Sequence, residues 1–322
     1  MNLGFWGQLP RPILALAPMI NVTDAAFRKM FVECGKPDVF WTEFVSVEGL
    51  LSRGRDALLP MLWFDEREHP IVAQIFGVKP KQFEEVGEMI RKLGFDGVDI
   101  NMGCPDRDVE KQGAGAALIK NKDQAKEIIR ALKKGADPLP VSVKTRLGYA
   151  SSTEATEWIR TLLEEDIAEI SVHLRTRKEM SLVPAHWEIA PEIVAMRNKI
   201  VPKTLVLGNG DISSLDEANL RIRESGMDGV MIGRGIFGNP WFFSGRVPDA
   251  SERLERMVIH AKTYEEMYGE RKNFSVMKKH FNAYATGFFG AKDLRIRLME
   301  VKNAGDVSKI VKEFLRNENE HI

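Results

Sequence analysis

Eight short apolar runs rich in β-branched residues are spaced along the first 232 residues, with amphipathic stretches between them. Runs of this kind are typical of buried strands in a parallel sheet that is covered by helices. Eight such units in about 230 residues fit a closed barrel better than an open, doubly wound sheet. The predicted strands are 13–17, 39–43, 71–76, 97–101, 141–145, 169–173, 204–208 and 229–232. We therefore expect the α/β class and a (β/α)8 TIM barrel.

Polar residues recur at or just past the C-terminal ends of these predicted strands. They are Glu43, Gln74, Asn101, Lys144, His173 and Asn209. In a barrel, these strand ends converge on one mouth, and the active site is built there. Polar residues scattered at random would not show this regularity, so the pattern predicts one site at the mouth of the barrel.

The alternation of strands and helices stops after about residue 246. Residues 250–268, 274–289, 291–303 and 306–317 are predicted to be helical, with glycines as breaks between them. We expect a barrel over residues 1–246 and a small C-terminal helical bundle over 247–322.

The composition is that of an ordinary globular protein, with 44% hydrophobic residues and a formal net charge of zero. No apolar run approaches the roughly 18 residues of a membrane span, and no basic and apolar leader is visible. The two cysteines, Cys34 and Cys104, fit a reducing cytoplasm. These features predict a cytoplasmic protein, and we expect no membrane partner and no metal.

Charge is nevertheless concentrated in one stretch of the tail. Residues 271–297 carry seven basic side chains and one acidic side chain, Asp293. The basic residues are Arg271, Lys272, Lys278, Lys279, Lys292, Arg295 and Arg297. The stretch is either a solvated helix face or a local anion-binding patch.

Glycine-bearing turns follow the last two predicted strands. Gly208 to Asp211 come after the seventh strand, and Gly233-Arg234-Gly235 come after the eighth. Barrels often bind a phosphate at this place, where exposed backbone amides favour an anion. Arg234 could add a charge-assisted contact. The turns indicate a phosphate-bearing ligand.

Two further residues face this predicted site. Lys144 could form a Schiff base with a carbonyl substrate, or it could hold an anionic cofactor by its charge. His173 could contact a phosphate or a ring, or it could be a core histidine. The residues alone leave these alternatives open.

Cys104 follows the fourth predicted strand, on a loop with Gly103 on one side and Gly113 and Gly115 further along. A mobile loop at the catalytic face suits a reactive cysteine. The thiol could act as a nucleophile or donate a proton, and both roles remain open. Cys34 ends a predicted helix and is interpreted as a packing residue.

Taken together, the motifs resemble those of the tRNA-dihydrouridine synthase family over about residues 13–243. They are LAPMINVTDAAFR at 16–28, TEF at 42–44, DINMGCP at 99–105, VEKQGAGAALI at 109–119, VKTRLG at 143–148, HLRTR at 173–177, NGDI at 209–212 and IGRGIFGNPWFF at 232–243. Their joint order and spacing make the resemblance specific.

The resemblance implies an enzyme that uses FMN, with NADPH as the usual electron donor, to reduce the C5–C6 double bond of uridine in the D-loop of tRNA. It implies a hydride from flavin N5 to uracil C6 and a proton from Cys104 to C5. Asn101 and Arg175 are the expected substrate contacts, and Lys144 is then expected to stabilise flavin charge. The expected FMN contacts are Pro18, Met19, Ile20, Gln74, Lys144, His173, Asn209, Gly210, Asp211, Gly233 and Arg234.

The resemblance also implies that the helical tail binds tRNA, and we expect a monomer. One stretch departs from the family pattern. Where the family commonly has a glutamine, a tyrosine, a glycine and an acidic residue, this chain has Glu179, Ser181, Val183 and His186, while Trp187 is retained. Because the loop borders the predicted substrate entrance, the departure bears on which uridine is modified.

Two alternatives were kept beside this function. One is a flavin reductase of a free pyrimidine, which would not explain the basic helical tail. The other is an RNA-binding protein of the same fold without catalysis, against which the presence of Cys104, Lys144 and the glycine turns argues.

Overall fold

The structure is a computed structural model that describes residues 2–319, and its centre is a parallel sheet closed into a barrel. The strand segments are β1 (Ile13–Leu16), β2 (Phe40–Trp41), β3 (Val45–Ser46), β4 (Ile71–Phe76), β5 (Gly97–Met102), β6 (Val141–Arg146), β7 (Glu169–His173), β8 (Leu205–Asn209) and β9 (Gly229–Ile232). Their order is β1-β9-β8-β7-β6-β5-β4-β2, with every pairing parallel. A parallel bridge between Ala15 and Val39 joins the first strand to the second. The predicted (β/α)8 barrel is confirmed.

The second strand differs from its prediction. A continuous strand over 39–43 is wrong, because the strand breaks after Trp41 and resumes as β3, and both parts pair with β4. The break contains Thr42 and Glu43, whose side chains are fully buried. The hydroxyl of Thr42 accepts a hydrogen bond from the backbone amide of Gln74 at 3.1 Å, and the hydrogen-bond ladder with β4 is interrupted locally.

Helices cover the outside of the barrel. They are α1 (Ala25–Cys34), α2 (Val47–Leu50), α3 (Arg55–Leu58), α4 (Pro80–Lys92), α5 (Arg107–Lys111), α6 (Lys122–Ala136), α7 (Ala155–Leu163), α8 (Ala190–Ile200) and α9 (Leu215–Ser225). In α4, Phe83, Val86 and Ile90 recur at helical spacing and are buried against the sheet. Gly87 lets α6 approach closely, because a Cβ there would lie 2.9 Å from the backbone nitrogen of Ala136.

Four helices follow the barrel: α10 (Ala250–Tyr268), α11 (Lys278–Tyr284), α12 (Ala291–Leu298) and α13 (Ala304–Asn319). We call residues 250–319 the helical segment. The predicted helix over 274–289 is wrong at both ends, since a 3-10 turn occupies Phe274–Met277 and α11 ends at Tyr284. The helix predicted over 291–303 ends at Leu298.

The helical segment packs on α1. Its buried core includes Leu254, Met257 and Phe281 together with Ala26 of α1. Phe27 of α1 contacts the ring of His260 at 5.4 Å and that of His280 at 4.8 Å between centroids. The helical segment therefore shares a core with the first helix of the barrel.

Among residues 2–319, no helix combines the length and the apolar character that crossing a membrane requires.

The paired histidines make the stability of the helical segment depend on pH. His260 and His280 are fully buried, and no described residue hydrogen-bonds to their ring nitrogens. Burial lowers the pKa of His260 to about 3 and also lowers that of His280. Both rings are neutral in the folded protein, whereas they gain protons in the unfolded chain below about pH 6.5.

We predict that lowering the pH from 7 to 5 reduces the free energy of unfolding. Each neutral histidine adds up to about 1.4 kcal/mol to this loss for every pH unit below 6.5, because the unfolded state binds a proton that the folded state does not. His260→Phe keeps a ring beside Phe27 and should remove about half of this loss. Urea unfolding at the two pH values measures it, and an unchanged pH dependence in His260→Phe would contradict the prediction.

Candidate active site

Strand register places polar residues in rows inside the barrel. Side chains two positions apart on a strand point to the same side. Asp99 and Asn101 share one side of β5, and the register sets Asp99 beside Ser142 and Asn101 beside Lys144. One strand further, the register sets Ser142 beside Glu169 on β7. The polar rows are therefore stacked from the barrel interior up to its mouth.

Lys144 lies near the top of these rows. Its ammonium donates a hydrogen bond to Oδ1 of Asn209 at 3.3 Å, and the amide of Asn209 donates to the carbonyl of Met231 at 2.7 Å. Burial lowers the pKa of Lys144 to about 8, and the nearby charge of Arg146 acts in the same direction. The carboxyls of Asp99 and Glu169 oppose this shift.

Asp99 and Glu169 are fully buried. Burial raises the pKa of Asp99 to about 6 and raises that of Glu169 well above its ordinary value. Ser142 donates to Oδ1 of Asp99 at 2.7 Å, and Ser171 donates to Glu169 at 2.6 Å. The barrel interior therefore contains acidic groups that favour a proton or a cation near Lys144.

An open cleft lies at the barrel mouth, beside Lys144. Its walls include the loop after β1 and the turns after β8 and β9, at Pro18, Met19, Gly210, Asp211, Gly233 and Arg234. Gly210 has a φ of +135°, and a Cβ there would lie 2.8 Å from the Cβ of Ala185. Glycine is therefore needed at this turn.

Arg175 holds one wall of the cleft together. Its guanidinium is buried and pairs with Oδ2 of Asp211, donates to Nε2 of His173 at 3.1 Å, and donates to the carbonyl of Val183 at 2.6 Å. Arg234 pairs with the other oxygen of Asp211 at 2.9 Å. Burial and the neighbouring cations lower the pKa of His173 well below its ordinary range, so His173 is neutral at pH 7. Its Nε2 accepts a hydrogen bond from the guanidinium of Arg175.

A chain of side-chain hydrogen bonds leads to Cys104. Gln74 donates to Oδ2 of Asp99 at 2.7 Å, and Asn101 donates to Oε1 of Gln74 at 3.0 Å. This leaves Oδ1 of Asn101 to accept the backbone amides of Gly103 at 3.1 Å and of Cys104 at 2.9 Å. The Asp99–Gln74–Asn101 chain thereby fixes the backbone from which the thiol projects.

The thiol of Cys104 is half-buried, and burial raises its pKa above the usual 9.0. It is therefore a protonated thiol at neutral pH. Arg146 lies next to this loop and donates from Nε to the carbonyl of Gly103 at 2.8 Å and from Nη1 to the carbonyl of Met180 at 3.0 Å. Burial lowers the pKa of Arg146 to about 10, so it remains charged at pH 7.

The structure brings most of the predicted site residues to one cleft. Those that line it are Pro18, Met19, Lys144, His173, Arg175, Asn209, Gly210, Asp211, Gly233 and Arg234. Gln74 and Asn101 lie below the cleft in the chain that leads to Cys104, and neither they nor Cys104 line it. Ile20 follows Met19 with 42% of its surface exposed, and it does not line the cleft either.

Arg146, Asp99 and Glu169 were not assigned a role from the sequence. The signal that identifies them is the period of two along a strand, since Arg146 is two residues after Lys144, and Asp99 is two residues before Asn101. Glu169 likewise begins the strand that ends at His173.

The loop 179–186, where the sequence departs from the family pattern, is held by contacts of its own residues. Nε2 of His186 contacts Oε1 of Glu179 at 3.0 Å, and the other oxygen of Glu179 accepts the amide of Thr176 at 2.7 Å. The hydrogen bond to Glu179 raises the pKa of His186. Ser181 lines the cleft, while Leu182 is 86% exposed.

The closed parallel barrel is a TIM barrel, and its mouth combines glycine turns, an inward lysine and a nearby thiol on a loop. This fold and site are those of a TIM-barrel enzyme. The sequence model of the family described as Dihydrouridine synthase (Dus) matches residues 15–319. The chain belongs to this family, and the resemblance drawn from its motifs is confirmed.

Relatives match along the whole chain. A probable tRNA-dihydrouridine synthase of Staphylococcus aureus (strain Mu50) is 43% identical and covers 100% of this chain and 99% of its own length. The probable tRNA-dihydrouridine synthase 2 of Bacillus subtilis (strain 168) is also 43% identical, covering 98% of each chain. Among solved structures, histamine dehydrogenase from Rhizobium sp. 4-9 shares the fold, with a TM-score of 0.55 at 13% identity over 78% of this chain and 48% of that one.

We predict that binding of FMN, the cofactor that the family resemblance implies, weakens as the pH rises from 7 to 9. Lys144 has a pKa of about 8 and loses its charge in this interval. Lys144→Met should bind FMN about tenfold more weakly at pH 7 and show no such decline. Quenching of flavin fluorescence measures the dissociation constants.

The matched control is Lys203→Met, which replaces an exposed lysine just before β8. Its affinity for FMN should depend on pH as that of the wild type does. A wild-type affinity that does not change between pH 7 and 9 would contradict the role given to Lys144.

Proposed function

We propose that this protein reduces the C5–C6 double bond of uridine in the D-loop of tRNA to dihydrouridine, with FMN as cofactor and NADPH as electron donor. The overall reaction converts uridine, NADPH and a proton into dihydrouridine and NADP⁺. The observation that carries the proposal is a protonated Cys104 on an ordered loop beside a cleft that suits a phosphate-bearing cofactor. Family membership supports the choice of tRNA as substrate.

The residues of the cleft fit FMN. Gly210 and Gly233 leave room for a phosphate, and Arg234 is an exposed cation beside them, already paired with Asp211. Lys144 is positioned to neutralise negative charge on a flavin ring, and Pro18 and Met19 provide an apolar wall. When bound, FMN supplies a hydride to C6 of the uracil ring. Lys144 then has the electrostatic role, and its contact with Asn209 fixes its direction.

Cys104 acts as the general acid. A thiol with a raised pKa keeps its proton at neutral pH, and it is a weak nucleophile in that form. Asn101 holds the amide of Cys104 and so determines where the thiol points. The proton goes from Sγ to C5, and solvent restores it after product release. Asn101 and Arg175 are the proposed uracil contacts.

The target base must leave its stack to enter a barrel mouth.

We assign residues 1–246 to catalysis and 247–322 to tRNA binding, in a protein that acts in the cytoplasm and as a monomer. Arg271 is exposed, and its guanidinium lies over the ring of Trp63 at 5.5 Å from its centroid. Lys292 and Arg297 are exposed on α12. Such cations position RNA through its phosphates, and binding should weaken with salt.

We predict that Cys104→Ala forms dihydrouridine at least about 100-fold more slowly than the wild type, because the proton donor is lost. The bound flavin should remain, since Cys104 does not line the cleft. Mass spectrometry of digested tRNA measures the product. Cys34→Ala removes the other half-buried thiol and should react like the wild type. A fully active Cys104→Ala enzyme would contradict the assignment of Cys104 as the general acid.

A second experiment separates the proposal from its alternatives. NADPH should bleach the yellow flavin, and unmodified tRNA should restore its colour, whereas free uridine should not. Reoxidation by free uridine at the same rate would favour a reductase of free pyrimidines. Purified protein without flavin would favour an RNA-binding protein without catalysis.

A further inference from the structure

Two basic residues of the 271–297 stretch turn away from solvent and towards the barrel. Lys272 is 18% exposed, and its ammonium lies 3.1 Å from Oε2 of Glu43 and 4.5 Å from the ring centroid of Tyr268. Burial lowers the pKa of Lys279, and the carboxyls of Asp24 and Glu43 oppose that shift. The charge of Lys272 is therefore paired inside the protein, although the sequence places this lysine in the candidate anion-binding patch.

Glu43 connects Lys272 to the cleft. Its side chain is fully buried in the break between β2 and β3, with Oε2 on Lys272 and Oε1 accepting the backbone amide of Asn21. A buried carboxylate needs a cation or several donors to remain charged. Lys272, which comes from the connection between α10 and α11, supplies that cation.

Asn21 lies in the loop between β1 and α1, whose residues Pro18 and Met19 line the cofactor cleft. It adopts a left-handed φ of +56°, a conformation that asparagine adopts more readily than other residues with a side chain. Within the loop, the amide of Met19 donates to Oγ1 of Thr23 at 2.8 Å, and the amide of Val22 donates to the carbonyl of Met19 at 3.0 Å. A shift of Asn21 would therefore move Met19, which lines the cleft beside Pro18.

The helical segment also holds the far end of the same loop. The hydroxyl of Tyr268 accepts the amide of Ala25, the first residue of α1, at 3.1 Å. Asp24 caps α1 through the amide of Phe27 at 3.0 Å, and its second oxygen has no described hydrogen-bond partner. The charges of Glu43 and Lys272 both act on Asp24. The helical segment thus supports the loop at two points, at Asn21 through Glu43 and at Ala25 through Tyr268.

We propose that Lys272 is a positioning residue of the cofactor site, acting through Glu43 on the loop of residues 18–21. The helical segment then completes the wall of the cleft in addition to binding RNA. The inference rests on the proposed function only for the identity of the ligand, FMN, since the link from Lys272 to the loop is independent of it.

The test compares Lys272→Met, which removes the charge and keeps the length, with Lys272→Arg, which keeps the charge. In the flavin-free full-length protein, hydrogen–deuterium exchange of peptides covering 17–24 should be faster in Lys272→Met and near wild type in Lys272→Arg. The dissociation constant of FMN should rise about tenfold in Lys272→Met and recover in Lys272→Arg.

Lys278→Met is the matched control from the same basic stretch. It should leave the exchange of 17–24 and the affinity for FMN unchanged, and it should raise the KM for tRNA. If Lys272→Met behaves in this same way, Lys272 is an RNA contact and the proposal is wrong. If Lys272→Met lowers the melting temperature while exchange of 17–24 and FMN affinity stay at wild-type values, its role is structural only, and the proposal is also wrong.

Glu43→Gln serves if Lys272→Met does not fold, because glutamine can still accept from Asn21 but no longer attracts Lys272 by charge. It should show the same changes to a smaller degree, and a wild-type response would overturn the proposal. If the wild-type protein binds no FMN, the proposed function fails, whereas the exchange measurement still decides the link from Lys272 to the loop.

Discussion

The ammonium group of Lys144 stands inside a barrel, where a lone charge is costly, and the surrounding residues compensate for it. Asp99 and Glu169 lie below it as buried acids, and Oδ1 of Asn209 accepts a hydrogen bond from it beside the cleft. Strand register produces this arrangement, because Asn101 on β5 and Ser171 on β7 are the register partners of Lys144. A shift of β6 by one residue would turn the lysine away from the mouth and leave the acids without a cation.

The buried polar residues of these rows have two roles. Asp99 contributes to the charge balance of Lys144 and, through Gln74 and Asn101, fixes the backbone of Cys104. A single buried carboxyl therefore connects the cleft with the loop that bears the thiol. Both parts of the site therefore depend on β4 and β5, whose residues do not line the cleft.

Much of this arrangement could be predicted from the sequence. The eight strands follow from apolar runs, and the polar residues at their ends follow from the geometry of any parallel barrel. Alternation along the strands also points to Asp99, two residues before Asn101, and to Arg146, two residues after Lys144. The pairing of Arg175 with Asp211 was beyond prediction, since it depends on how two loops meet in space. The break at Thr42 and Glu43 and the inward turn of Lys272 depend on tertiary contacts in the same way.

The shared core between α1 and the helical segment has a consequence for how such proteins diverge. Ala26 and Phe27 belong to a barrel helix, yet they pack among residues of α10 and α11. A recombination event that joined a foreign tail at residue 246 would leave these two residues facing an unrelated surface. A helical segment exchanged between relatives would therefore fit only if the first βα unit were transferred together with the last four helices.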